Sequence, residues 1–263
     1  MQNHHLPQEI LDYIADLLHD QPETLKRCCL VSRSWVPRTR KHLFADIRLR
    51  SVDDLRSWKK TFPDVGNSPA YHTRSLFIGC SSVVVAEDAE EGGWIRAFSR
   101  ISSLDVDNGV WYLNTPAISL LTPFHNFSPT LKSLRMCPIA FPCPQLFDLV
   151  LSSPLLEDLT LTGHDDSFGN EDESHGLQTV LPSTSPPLTG SLDLNIFGGM
   201  GNTVRQLLDL PNGLHFRSLA FSWHCEADLP WTTQLVELCS DTLECLDIMC
   251  RLPSAFVSIP HRS

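Results

Sequence analysis

The first forty residues alternate apolar and polar positions with the period of a helix. Ile10, Leu11, Ile14, Leu17 and Leu18 recur at i, i+3, i+4 and i+7, which predicts an amphipathic helix over residues 8–19, with Pro7 just ahead where its missing N–H costs little. Pro22 restarts the chain as a first-turn proline. Leu25, Cys28, Cys29 and Val31 mark the apolar side of a second helix, and Lys26 and Arg27 point away from it. Ser34 is placed to cap a third helix running to about Leu43, with Pro37 in its first turn, Trp35 turned inward, and Arg38, Arg40 and Lys41 turned outward. Three such short helices bury little surface, so the unit is expected to be marginal unless it docks on something.

Beyond residue 60 the pattern changes to short stretches of the form L-x-x-L-x-L: "FSPTLKSLRM", "SSPLLEDLTL", "PPLTGSLDLN", "GLHFRSLAFS" and "CSDTLECLDI", with weaker forms at "YHTRSLFI" and "FSRISSLDV". Aligned on the central leucine they give Leu76, Leu104, Leu134, Leu159, Leu192, Leu219 and Leu246, separated by 28, 30, 25, 33, 27 and 27 residues. Each stretch alternates apolar and polar as a short strand does. Segments of helical character lie between them: "EEGGWIRAFSRI", "TPAISLLTPF", "CPQLFDLVLSS", "NTVRQLLDLP" and "TTQLVELCSD". Strand and helix in regular alternation predict an α/β chain in which parallel strands stack into a curved sheet with helices outside.

Two resemblances follow. The run Leu6-Pro7, Glu9-Ile10-Leu11, Ile14, Leu17-Leu18, Leu25, Cys28, Val31, Ser32-Arg33-Ser34-Trp35, Leu43-Phe44 and Ile47 resembles an F-box over nearly the length of that motif. It departs from the common pattern at Thr24 and Pro37. The repeats resemble irregular leucine-rich repeats, whose usual length is ~20–29 residues. They lack a regular asparagine ladder, with Asn195 after Leu194 as a single instance. The resemblance implies an F-box over residues 1–50, a connecting segment at 51–67, a leucine-rich-repeat-like domain at 68–250 and a tail at 251–263. It also implies a substrate receptor of an SCF-type cullin-RING ubiquitin ligase, like the divergent receptors of fungi, in which the F-box binds a Skp-type adaptor. The adaptor positions carried over are Leu6, Pro7, Ile10, Leu11, Ile14, Leu25, Cys28, Val31 and Trp35. No residue of such a receptor performs chemistry; it acts by raising the effective concentration of a target near the conjugating enzyme.

Outward residues beside the repeat leucines are the candidates for target contact, since the leucines themselves are committed to the core: Lys132, Arg135, Glu157, Thr160, Asp193, Asn195, Arg217, Ser222 and Asp247. Charge sharpens this. The net charge is −11, yet residues 24–60 carry 11 Lys/Arg against 3 acids, while residues 61–263 carry 9 Lys/Arg against 23 acids. The acidic body favours a basic target. The basic segment lacks interleaved aromatics and any recognition motif, so nucleic-acid binding is not expected. Nor is a membrane span, because no apolar run approaches the ~20 residues one needs. With no signal-peptide pattern at the start, a cytoplasmic or nuclear protein is expected. The 9 cysteines contain no C-x-x-C pair and read as small hydrophobes; no metal or cofactor is expected.

Other stretches keep more than one reading. "GHDDSFGNEDESHG", residues 163–176, reads as a polar surface insertion, with cation binding or phosphorylation of Ser167 or Ser174 as alternatives. "PSTSPPLTG" extends it. Gly198, Gly199 and Gly201 stand between a strand and a helix, where phosphate loops occur, but without the Gly-Lys-Ser/Thr ending; a turn between repeats is the simpler reading, and an enzyme built on it the remote one. His224-Cys225 has no third partner at nucleophile or metal spacing. The end, "RLPSAFVSIPHRS", lacks a closing amphipathic helix, so a shortened array of reduced solubility, or one completed by a partner, is expected. A leucine-rich binding scaffold whose helices merely cap the repeats remains the alternative to the receptor.

Overall fold

The computed structural model describes residues 6–79, 94–107, 122–141, 144–165, 187–197, 200–210, 213–224 and 226–250. Three helices open the chain: α1 (Gln8–Leu17), α2 (Pro22–Val31) and α3 (Val36–Leu43). The third begins one residue later than expected. Ser34 is not its cap; Ser32 accepts a hydrogen bond from the Ser34 N–H and starts a single 3-10 turn over Arg33–Trp35, from which α3 continues. Pro37 sits in the first turn of α3, where the absent N–H has no helical partner to lose.

Eight strands follow: β1 (Asp46–Leu49), β2 (Ser75–Ile78), β3 (Ser103–Asp107), β4 (Ser133–Phe141), β5 (Asp158–Asp165), β6 (Leu188–Phe197), β7 (Leu214–Trp223) and β8 (Cys245–Cys250). They form one parallel sheet in sequence order, so the fold is α/β and the chain moves across the sheet one strand at a time. The seven leucines aligned from the sequence are Cα partners in an unbroken row from Leu76 to Leu246. Ile47 extends the row by one, so the sheet starts at Asp46, well ahead of residue 68 where the repeats were expected to begin. A single apolar–polar–apolar run, "DIRL", is too short to stand out in a sequence, and only the pairing with β2 reveals it.

The segment 51–67 contains α4 (Val52–Thr61). Its start is set by a capping box in which the Ser51 hydroxyl accepts from the Asp54 N–H and the Asp54 carboxylate accepts from the Ser51 N–H at 3.1 Å. Acids occupy its first turn and Lys59 and Lys60 its last, as the helix dipole favours. Leu55 is fully buried, and Trp58 meets Phe44, Phe62 and Phe98 at ring distances of 4.7–6.2 Å.

Three later helices, α5 (Pro144–Leu151), α6 (Gly201–Leu208) and α7 (Leu229–Leu238), fall where helical segments were expected. Of the other two expected segments, 90–101 contains the 3-10 turn Ile95–Ala97, and 115–124 lies mostly outside the described residues, with the 3-10 turn Thr122–Phe127 overlapping its end.

One apolar core joins the leucine row from Leu76 to Leu219, the row two residues on (Ile78, Val106, Met136, Leu161, Leu194, Phe221), and side chains of the helices such as Leu149, Val204, Leu207 and Leu235; Leu246 on the last strand is exposed. The helices therefore cover the leucine side of the sheet, and the other side carries the polar positions. Carbonyls just ahead of the strands tie the turns together: each of those of Ala45, Arg74, Ser102 and Lys132 accepts two N–H groups from the next turn. Gly190 stands in the same row. Its φ of +88° and the Glu157 carbonyl oxygen, 1.9 Å from where a Cβ would lie, require glycine there.

Candidate interaction surfaces

The apolar arc of α1 is wider than its small core can cover. Leu11 and Ala15 face inward, with Ile14 and Leu18 half-buried beside them. Ile10, Leu17 and Tyr13 lie within about 60° of one another on the neighbouring arc at 100° per residue, and all are exposed. Leu6 and Pro7 precede them, also exposed, and on α2 Leu30 and Val31 are 88% and 77% exposed.

Of the nine positions carried over for an adaptor, Leu6, Pro7, Ile10 and Val31 are at the surface; Ile14, Cys28 and Trp35 are half-buried. Leu11 and Leu25 are buried, at 7% and 1% exposure, and join the helices to one another rather than facing outward. Tyr13, Leu17 and Leu30 are exposed apolar side chains that periodicity assigned inward or passed over. An apolar pattern identifies the arc but not how much of it the partner helices cover.

Polar contacts set the angle between these helices. Both oxygens of Asp16 on α1 accept from Arg38 on α3, Oδ1 from Nε at 2.5 Å and Oδ2 from Nη2, and His42 Nε2 lies 2.7 Å from the same Oδ1. The hydrogen bonds from Arg38 hold the Asp16 carboxyl well below the usual carboxylate range. Gln8 Nε2 donates to the Ser34 carbonyl at 3.0 Å, and the buried Thr39 hydroxyl donates to the Trp35 carbonyl at 2.7 Å. The readable signal for the first of these was an acid at the edge of an apolar helix, opposite two basic groups four residues apart on α3.

The polar side of the sheet carries three rows. The row before the leucines is mostly serine: Ser75, Ser103, Ser133, Ser191 and Ser218. The row after them holds Asp105, Arg135, Thr160, Asp193, Ala220 and Asp247. Two residues further stand Thr162, Asn195, Ser222 and Met249. The second and third of these rows line an open trough of about 460 Å³ over β4 to β8, and Arg135, Thr160, Asp193, Asn195, Ser222 and Asp247 all border it. Arg135 reaches back to Asp105 at 3.6 Å. Burial pushes the carboxyls of Asp105 and Asp193 up, against the opposing pull of Arg135. Beyond the trough His164, Phe197 and His224 stack in turn, with ring centroids 5.3 and 4.2 Å apart, and His224 Nε2 lies 3.0 Å from Asn195 Oδ1.

Lys132, Glu157 and Arg217 were expected on the same surface and do not line the trough. They share the parity of the leucines, and Lys132 and Glu157 stand just ahead of their strands, where the chain turns. Lys132 instead pairs with Glu157 at 3.1 Å, both side chains more than half exposed. Arg217 is the extra residue where the β6–β7 register shifts, and its carbonyl accepts the Glu244 N–H.

Gly198, Gly199 and the stretch 166–186, including Ser167 and Ser174, lie outside the described residues, as do Cys225 and residues 251–263. The edge of the glycine turn is visible: the Met200 N–H donates to the buried Asp228 carboxylate at 2.9 Å, and a Cβ on Gly201 would lie 2.8 Å from Trp231. A carboxylate thus occupies one N–H that a phosphate loop would offer to its ligand. Among the described residues no three His, Cys, Asp or Glu side chains form a metal-binding group, and no helix is long and apolar enough to cross a membrane. No family model, no curated protein and no solved structure matches this chain.

Proposed function

We propose that this protein is the substrate-recognition subunit of an SCF-type cullin-RING ubiquitin ligase, working in the cytoplasm or nucleus. On this reading the helices over residues 6–43 form an F-box that binds a Skp-type adaptor, and the sheet is an irregular leucine-rich-repeat array whose polar face holds a target protein. The observation that carries it is the exposed apolar surface of Leu6, Ile10, Tyr13, Leu17, Leu30 and Val31, gathered on helices that already have a small core of their own. The repeat reading rests on the one-row stacking of the central leucines across parallel strands in sequence order. Asp193 and Asp247 give the trough its acidic side and favour a target segment bearing lysine or arginine.

Co-expression with a Skp-type adaptor tests the first half. The wild-type chain co-purifies with the adaptor, and a Leu6→Ala, Pro7→Ala, Ile10→Ala variant with an intact sheet does not. A well-folded wild-type chain that leaves the adaptor behind would sink the receptor reading. One observation favours a second reading, a binding scaffold without a ligase role: α3 runs through Ala45 directly into β1, and the Ala45 carbonyl accepts from the Arg74 and Ser75 N–H groups, as a helical cap on the sheet would.

A further inference from the structure

The two ends of the sheet are both open and differ in charge. Among the described residues no strand lies beyond β1 or beyond β8, so the outer backbone groups of each face away from the sheet. On β8, Leu246 and Ile248 are 44% and 42% exposed, where Leu219 and Phe221 at the same positions one strand earlier are 0% and 2% exposed. Leu229 and Leu238 of α7, the helix ahead of this strand, are exposed too. The last strand thus has the side chains of an interior strand without the neighbour that covers them. At the other end α3 packs on the 3-10 turn Pro69–His72 and α4 lies against β1, so that Ile47 and Leu49 are buried while Asp46 and Arg48 stand exposed on the polar side. Charge follows the same division. Residues 218–250 hold 6 acids and no lysine or arginine, whereas residues 24–60 hold 11 Lys/Arg against 3 acids. Lys41, Arg74 and Arg100 add to the basic end around a small opening that His72 also lines.

We infer that a second copy of this chain occupies the outer edge of β8, adding its own β1 as the next parallel strand. All seven junctions of the sheet keep the central apolar positions, from Ile47 to Leu246, in one row. Carrying that register one step further sets Leu246 beside Ile47 of the second copy, Asp247 beside Arg48 and Ile248 beside Leu49. Both apolar positions meet apolar positions, and an exposed acid meets an exposed base. Two copies related by a two-fold axis fit less well. Antiparallel β8 strands centred on Asp247 oppose Leu246 with Ile248 but set two Asp247 carboxylates face to face; centred on Ile248 they leave Asp247 opposite Met249, with no cation from either strand. The contact is therefore head-to-tail and extends the sheet rather than closing on a pair. Four paired positions make a short junction, so an affinity of about micromolar or weaker is expected. The junction uses neither the apolar arc of α1 nor an adaptor, so it stands or falls apart from the receptor reading.

Sedimentation velocity of the full chain, over about 1–100 μM, is the test. The wild-type species grow beyond a dimer as concentration rises, and shrink as salt is added. Arg48→Asp and Asp247→Arg each weaken association about tenfold, since each sets like charges together across the junction. An equal mixture of the two variants regains the wild-type behaviour, because every junction between unlike copies then has opposite charges; this rescue also shows that both variants fold. Arg96→Asp, the same charge change at an exposed site between β2 and β3, leaves association as it was. Four results would overturn the inference. One is a monomer at every concentration, as when residues 251–263 of the same chain cover β8. Another is a closed dimer that responds to Asp247→Arg and ignores Arg48→Asp, the mark of a two-fold contact. The others are association indifferent to both substitutions, which would place it on another surface, and an equal loss in the Arg96→Asp control.

Discussion

The buried apolar side chains of the opening helices are Leu11, Ala15 and Leu25, whereas the sheet and its helices share one continuous core from Ile47 to Cys239. The same force, removal of apolar surface from water, stabilises both, but in unequal amounts. Stacking lets each interior strand of the sheet bury its leucine against two neighbours, so every interior turn shares the cost of ordering the chain with the turns on either side. The helices have no such repetition. They leave six large apolar side chains exposed and rely on polar fixtures, chiefly the Asp16–Arg38–His42 cluster, to hold their geometry. A region that is short of core and rich in exposed apolar surface is one that a partner can complete; the sheet buries its leucines from Leu76 to Leu219 and offers its polar face instead, with Leu246 and Ile248 of the last strand exposed.

The contrast can be broken most forcefully from the sheet side. Leu134→Ala removes a fully buried side chain in the middle of the leucine row and is expected to cost about 3–5 kcal/mol, lowering the urea midpoint of the main unfolding transition. Leu25→Ala is expected to cost less, about 2–3 kcal/mol, because the small core around it relaxes more readily. Its effect is local: hydrogen exchange speeds up in α1 to α3 while the strands keep their protection. Equal effects of the two substitutions across the whole chain would show that helices and sheet unfold as one unit, and the division drawn above would fail.

Smaller changes sharpen the comparison. The folded pKa of Asp16 lies below its unfolded value, so its contribution is present above pH ~4 and is lost as pH falls toward the folded value. Asp16→Asn should therefore destabilise the helices at neutral pH and have a shrinking effect in acid. With the carboxylate 38% exposed, solvent screening limits the loss to about 1 kcal/mol, read from thermal melts at pH 7 and pH 3. Least of all, Lys132→Ala breaks an exposed ion pair with Glu157 and should shift stability by no more than ~0.5 kcal/mol. A larger loss would mean that the row ahead of the strands contributes more than its exposure suggests.

The leucine row was legible because its period survives every insertion: spacings from 25 to 33 residues all return the chain to the same Cα register. Arg135, Thr160, Asp193, Asn195, Ser222 and Asp247 were legible for the same reason, since residues one and three places after a buried strand leucine point the other way. Lys132 and Glu157 were misplaced because they stand ahead of their strands, where the chain turns, and Arg217 because the register shift inside β7 leaves it unpaired. The buried and exposed leucines of α1 could not be separated by periodicity, as one apolar arc contains both.

Repetition and alternation, which are local properties of a chain, were therefore enough to establish the parallel register and the two faces of the sheet. Tertiary structure decided the rest, because each remaining feature depends on distances between segments far apart in sequence. These features are the pairing of β1 with β2, the choice of Leu11 and Leu25 as interior, the cluster of Arg38 and His42 on Asp16, and the meeting of Lys41, His72, Arg74 and Arg100 at one pocket. Charge and hydrophobicity along the chain say how much of each is present. Only the path of the backbone says which of them meet.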